Sequence, residues 1–238
     1  MVITRTSLIA AGKTLGLAIA LSFGALLPAS AQSHVYTLNN TYADTNGGPS
    51  LTPDGGTLNP TGGYTFGKDQ GLTVSNVLTG ADYTIDMTFS LTTLGGYKKL
   101  LDFNNLNDDA GLCLLGGNLN FFPVATGTFS FAIDQPITVE LTRNAATQVV
   151  TGFADGIQQF SFVDTGGIAV FKAPGGVMYF FEDDKATGGD EASGGTVTNI
   201  TINGSAPVPE ASTTVSLGLL LALGLGGAVA ARRKKSAG

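Results

Sequence analysis

The 238-residue chain contains no tryptophan, a single cysteine (Cys113) and a single histidine (His34). One cysteine excludes an intrachain disulfide. One histidine excludes a multi-histidine zinc site and counts against a Ser-His-Asp triad. Cys113 lies among Leu112, Leu114 and Leu115, a setting for an inert buried thiol, and His34 reads as a surface side chain near a frayed terminus. Without tryptophan the chain lacks the broadest platform for stacking on sugars; Tyr64, Tyr97 and Tyr179 are what remains. Cations are also scarce: 12 Lys+Arg stand against 18 Asp+Glu. With 34 Gly and 9 Pro the chain stays below the level that marks disorder.

The two ends differ from the middle. Arg5 and Lys13 precede an apolar stretch, Leu15 to Leu27, followed by Ala29-Ser30-Ala31, the A-x-A pattern of a secretory cleavage site. Residues 1–31 are therefore expected to be a signal peptide, with a mature chain starting at Gln32. Residues 207–238 open with Pro207-Val208-Pro209-Glu210-Ala211, continue through an uncharged run from Val215 to Ala231, and close on Arg232-Arg233-Lys234-Lys235. Such a run spans about 25 Å as a helix, so a transmembrane helix is expected over 213–231. The basic end, 232–235, stays on the cytoplasmic side and everything before Pro207 outside. Export follows, to the cell envelope, outer surface or extracellular matrix, with the tail as a stable or transient anchor.

Between the ends, residues 32–206 form one domain-sized segment. It carries six Lys/Arg against seventeen Asp/Glu, a net of −11. So acidic a domain repels phosphate backbones, which excludes nucleic acid as a partner.

Strand patterns dominate this segment. Tyr83, Ile85, Met87, Phe89 and Leu91 alternate with Thr84, Asp86, Thr88 and Ser90, a period of two that specifies a half-buried strand. Ile137, Val139 and Leu141 repeat it. Thr147–Ala154 and Ile157–Phe162 flank Asp155-Gly156, a two-residue hairpin signal. Further strands are expected at Tyr97–Phe103, Ala110–Leu115, Asn118–Phe122, Val177–Glu182 and Thr196–Ile202. No stretch shows a helical period. The expectation is an all-β, antiparallel β-sandwich of the jelly-roll kind.

Two resemblances add to this. The Pro209-Glu210-Ala211 box, apolar run and Arg232-Arg233 end resemble the PEP-CTERM sorting signal, with Ala211 where that family has a second proline. This implies an exosortase-type processing enzyme as a partner. Tyr83–Leu91, Leu100–Phe103, Gly111–Leu114, Thr138–Arg143, Phe153–Gly156, Phe180–Asp184, and Gly189–Gly195 leading into Val197–Ile202 together resemble the laminin-G-like or concanavalin A-like lectin/glucanase jelly roll. That superfamily holds sugar binders, adhesion modules and glycoside hydrolases, and fold alone does not choose among them.

The glucanases of the resembled group carry Glu-x-Asp-x-Glu on one strand face. Here Glu182 and Asp184 match the first two places, but Ala186 fills the third. Hydrolysis needs a second positioned carboxyl group, so no catalytic residues are assigned. Calcium fits better, because hard cations take oxygen ligands. Asp183 and Asp184 are the expected ligands, with Asn105, Asn107 and Asp109 closing the site and Asp190-Glu191 further along the same loop. The leading expectation is a non-catalytic module binding a surface polysaccharide or glycoprotein. The alternatives are a structural matrix protein without a discrete ligand and a divergent glycoside hydrolase.

Overall fold

The computed structural model describes residues 31–78, 81–171, 176–185 and 187–204. The expected signal peptide (apart from Ala31) and the tail 207–238 lie outside the described residues. Among those described there is no helix, and hence none long and apolar enough to cross a membrane.

Fifteen strands follow in order: β1 (Gln32–Tyr36), β2 (Thr52–Pro53), β3 (Thr57–Leu58), β4 (Tyr64–Phe66), β5 (Leu72–Val74), β6 (Tyr83–Leu91), β7 (Tyr97–Asp102) and β8 (Gly111–Leu115). The chain continues with β9 (Asn118–Phe122), β10 (Ala125–Ser130), β11 (Ile137–Arg143), β12 (Val149–Ala154), β13 (Ile157–Val163), β14 (Met178–Phe180) and β15 (Gly195–Gly204). They form two antiparallel sheets. One runs β13-β12-β11-β6-β15-β4-β3, with β1 added along the C-terminal half of β15. The other runs β10-β9-β8-β7-β14-β5-β2. An antiparallel sandwich is therefore the architecture, as the strand patterns require.

Alternation builds the core. Every odd residue of β6 from Tyr83 to Leu91 is buried and every even one is not, and Val139 and Leu141 of β11 repeat this beside it. Phenylalanines fill the space between the sheets: Phe103 stacks on Phe171 at 4.3 Å and Phe66 on Phe181 at 4.8 Å between centroids. Aromatic pairs at such separations contribute beyond their buried area. The Asp155-Gly156 turn has both residues at positive φ, 46° and 75°. This is the type I′ geometry that matches strand twist.

Two expectations are corrected. His34 is not a frayed surface residue: it is 8% exposed, and its Nδ1 lies 2.7 Å from Asp44 Oδ2. Asp44 also accepts the backbone N–H groups of Val35, Asn46 and Gly48. The N-terminal segment is held because β1 pairs with β15 residue for residue from Gln32–Gly204 to Tyr36–Ile200. The second correction concerns the strand expected at Val177–Glu182, which stops at Phe180. Phe180 and Phe181 are both buried, which strict alternation forbids. A positive φ of 64° at Phe181 breaks the alternation and turns both rings into the core. Glu182, Asp183 and Asp184 are thereby placed in a loop rather than on one strand face.

Candidate functional site

Strand β7 is buried at five of its six positions, Lys98 to Asp102. Its inner side faces the core, and its outer side lies beneath two loops, residues 103–110 and, among the described residues, 181–185 with 187–194. Main-chain bonds fasten these loops: Lys99 N–H donates to Glu191 O (2.8 Å) and Lys185 N–H to Leu106 O (3.2 Å). Asp102 shapes the first loop from below, its Oδ1 accepting Asn104 N–H and Leu106 N–H.

Asp183 shapes the second loop. Its Oδ1 accepts Asp184 N–H, and its Oδ2 accepts the Thr187 hydroxyl at 2.6 Å and Glu191 N–H at 2.9 Å. Its carboxylate is thus spent on the loop backbone. Asn105 Oδ1 accepts the Tyr179 hydroxyl at 2.7 Å, and the Asn107 amide donates to Asn104 O. Of the five residues expected to hold calcium, the fold gathers Asp109 and Asp184. The third member of the group is Glu191: one carboxylate oxygen from each of Asp109, Asp184 and Glu191 lies within 4.8 Å of the others.

The electrostatics of this group are strained. A side-chain hydrogen bond with Asp184, then burial, holds the Asp109 carboxyl above the usual carboxylate range. Burial, then the Asp109 and Asp183 charges, pushes Glu191 up. A hydrogen bond between two carboxyl groups needs a proton, which a divalent cation would replace. Asp109, Asp184, Glu191 and the neighbouring Asp183 carry more negative charge than the nearby Lys99 ammonium offsets, which favours a cation. The oxygen donor set suits calcium.

Beside the cluster is a pocket of about 50 Å³ lined by Tyr97, Lys99, Asp109, Cys113, Phe122 and Glu191. Tyr97 meets Phe122 edge to face at 5.4 Å. Lys99 is 3% exposed and donates from Nζ to Asp109 O at 2.8 Å. Cys113 is buried on the same face and its thiol, 3.2 Å from Asn120 Oδ1, is pushed up to about 12 chiefly by burial. That is the inert thiol expected. Of the tyrosines, Tyr64 is fully buried with its hydroxyl on Gly71 O, whereas Tyr97 lines the pocket. Lys99 and Phe122 had no separate signal in the sequence. The only hint was Tyr97-x-Lys99, a period-two pair on one face of a strand.

Glu182 is 5% exposed and its side chain packs over Gly71, where an added Cβ would stand 2.5 Å from Glu182 Cγ. Burial, then Asp54, Asp69 and Asp102, raises it to about 7.

No family model and no curated protein matches the sequence. Solved structures do match the fold. Domain 4 of AbnA, a GH43 extracellular arabinanase from Geobacillus stearothermophilus solved with arabinotriose, superposes with a TM-score of 0.53 at 14% identity, over 76% of this chain and 95% of that one. Trypanosoma rangeli sialidase, solved with 2,3-difluorosialic acid, gives 0.51 at 16% identity over 72% of this chain. The binding domain of botulinum neurotoxin DC, solved with rat synaptotagmin II, gives 0.50 at 14% identity over 72%. This chain spans 30% of the sialidase chain and 47% of the toxin-domain chain. At these identities the likeness establishes the jelly-roll-like sandwich and nothing finer.

Proposed function

We propose that the protein is an exported, non-catalytic binding module of the cell surface or exopolysaccharide matrix. It takes carbohydrate on the outer side of the β7–β8 strands, with calcium held by Asp109, Asp184 and Glu191. The observation that carries this reading is the convergence of those three carboxyl groups, from two loops, at the edge of a pocket rimmed by Tyr97 and Phe122. The matching domain solved with arabinotriose supports a carbohydrate ligand. Signal peptide cleavage at Gln32, a Pro209-Glu210-Ala211 tail processed by an exosortase-type enzyme, and membrane attachment through 213–231 complete the proposal. A hydrolase is disfavoured because Glu182 is buried against Gly71 instead of projecting from a strand.

Isothermal calorimetry with calcium on residues 32–206, followed by a glycan array with and without calcium, tests this. Binding of both ligands is the expected result. A domain inert to calcium at millimolar concentration and to every glycan would leave a structural matrix protein as the better account.

A further inference from the structure

Lys99 is an unusual residue for a sugar-facing strand. Only 3% of it is exposed, yet its ammonium donates to the Asp109 main-chain carbonyl and, among the described residues, forms no ion pair with a carboxylate. An ammonium has three donors, of which the main-chain bond uses one, while the Asp109 and Glu191 charges face the same ammonium. The carboxyl groups of Asp109 and Glu191 line the same pocket. The lining therefore offers N–H donors, oxygen acceptors and two aromatic rings.

The volume decides what can enter. About 50 Å³ holds one or two water-sized groups, whereas pockets that engulf a small molecule run to several hundred Å³. A sugar ring cannot enter, but its hydroxyl groups can while the ring lies across Tyr97 and Phe122. A hydroxyl both donates and accepts, so it satisfies Lys99 and a carboxylate together. A carboxylate- or sulfate-bearing sugar would pair with Lys99 only by facing Asp109 and Glu191.

Resting on the carbohydrate reading above, we infer that Lys99 sets the ligand class: the pocket accepts the hydroxyl groups of a neutral glycan and rejects acidic ones. Lys99 donates to a sugar hydroxyl, the carboxylate oxygen of Asp109 or Glu191 that is not turned to the cation accepts from it, and Tyr97 supports the ring. The negative potential of the domain acts in the same direction, opposing polyanions from a distance.

The test is calorimetry on the folded 32–206 domain with neutral trisaccharides (cellotriose, xylotriose and maltotriose) and trigalacturonate, with calcium and with chelator. The expected result is binding of at least one neutral probe and none of trigalacturonate. Lys99→Met, similar in length and without donors, should weaken the neutral probe about tenfold or more, the usual effect of losing a charged hydrogen bond. Tyr97→Ala, at the rim and less apt to disturb folding, should weaken it as well. A cooperative thermal transition should persist in Lys99→Met, which reports a folded protein. Trigalacturonate binding that needs calcium, neutral binding untouched by Lys99→Met and Tyr97→Ala, or no neutral binding would each overturn the inference. In the last case an intact calcium response leaves the cation part of the proposed function standing, and its loss removes both.

Discussion

Calcium should stabilise this domain by an amount that can be worked out beforehand. Extracellular calcium modules bind with dissociation constants of about 10⁻⁴ to 10⁻³ M. At the tight end, 10 mM calcium is about a hundredfold excess and stabilises the native state by about 2.7 kcal/mol. For a domain of this size each kcal/mol moves Tm by about 2–4 °C, so a rise of about 5–10 °C is expected by scanning calorimetry at pH 7. Asp109→Asn or Glu191→Gln should remove most of it, since each lies among the three acidic groups that converge within 4.8 Å. Asp183→Asn should behave differently. Its carboxylate accepts three hydrogen bonds from its own loop, so the change should lower Tm without calcium yet keep a calcium increment. The increment should also shrink on acidification, because the Asp109 carboxyl holds its proton above the usual range and calcium must displace it. A rise below about 1 °C in the native protein, or an equal rise in Asp109→Asn and Glu191→Gln, would refute the assignment.

On the far sheet, Asp86 faces Glu140 across β6 and β11, and burial followed by the Glu140 charge raises it from 3.8 to about 6. A proton is thus held more tightly in the folded state, so stability falls as pH rises from about 4 to 6 and the cost persists above. Asp86→Asn should stabilise the domain at pH 7 by about 1 kcal/mol, discounted for solvent screening, and do nothing near pH 3.5; urea unfolding at the two values measures it. At the β12–β13 turn, Gly156 has φ +75° and an added Cβ would meet nothing within 4 Å. Gly156→Ala should therefore cost only the left-handed backbone penalty, about 1 kcal/mol, and a loss above about 3 kcal/mol on urea unfolding would mean that the turn is not of this type.

Long strands with one buried face were legible in the amino-acid order because a period of two is a local property. β6 and β11 fall where their alternation puts them, and Asp155-Gly156 marks its own turn by backbone preference. Cys113 was legible as inert from its apolar neighbours. The short strands β2, β3, β4 and β5, two or three residues each, were not. β4 is held by the distant β15 and β5 by the distant β14, and so few residues carry no period. The same applies to β1, whose partner β15 is the last strand; β10 instead pairs with its sequence neighbour β9 at the edge of its sheet and was not expected.

For the candidate site the division is sharper. Sequence alone showed two oxygen-rich stretches, but not which carboxylates were already spent. Asp183 turned inward to hold its loop, Asn105 met Tyr179, and Glu191 joined Asp109 and Asp184. The left-handed turn at Phe181, which buries two adjacent rings and directs the following acids into a loop, depended on space in a core built from both sheets. Lys99 gained its setting only when two loops closed over β7. Local order determines which residues can form strands and turns; which side chains remain available for a ligand is decided by contacts between segments far apart in the chain, and these exist only once the sandwich has closed.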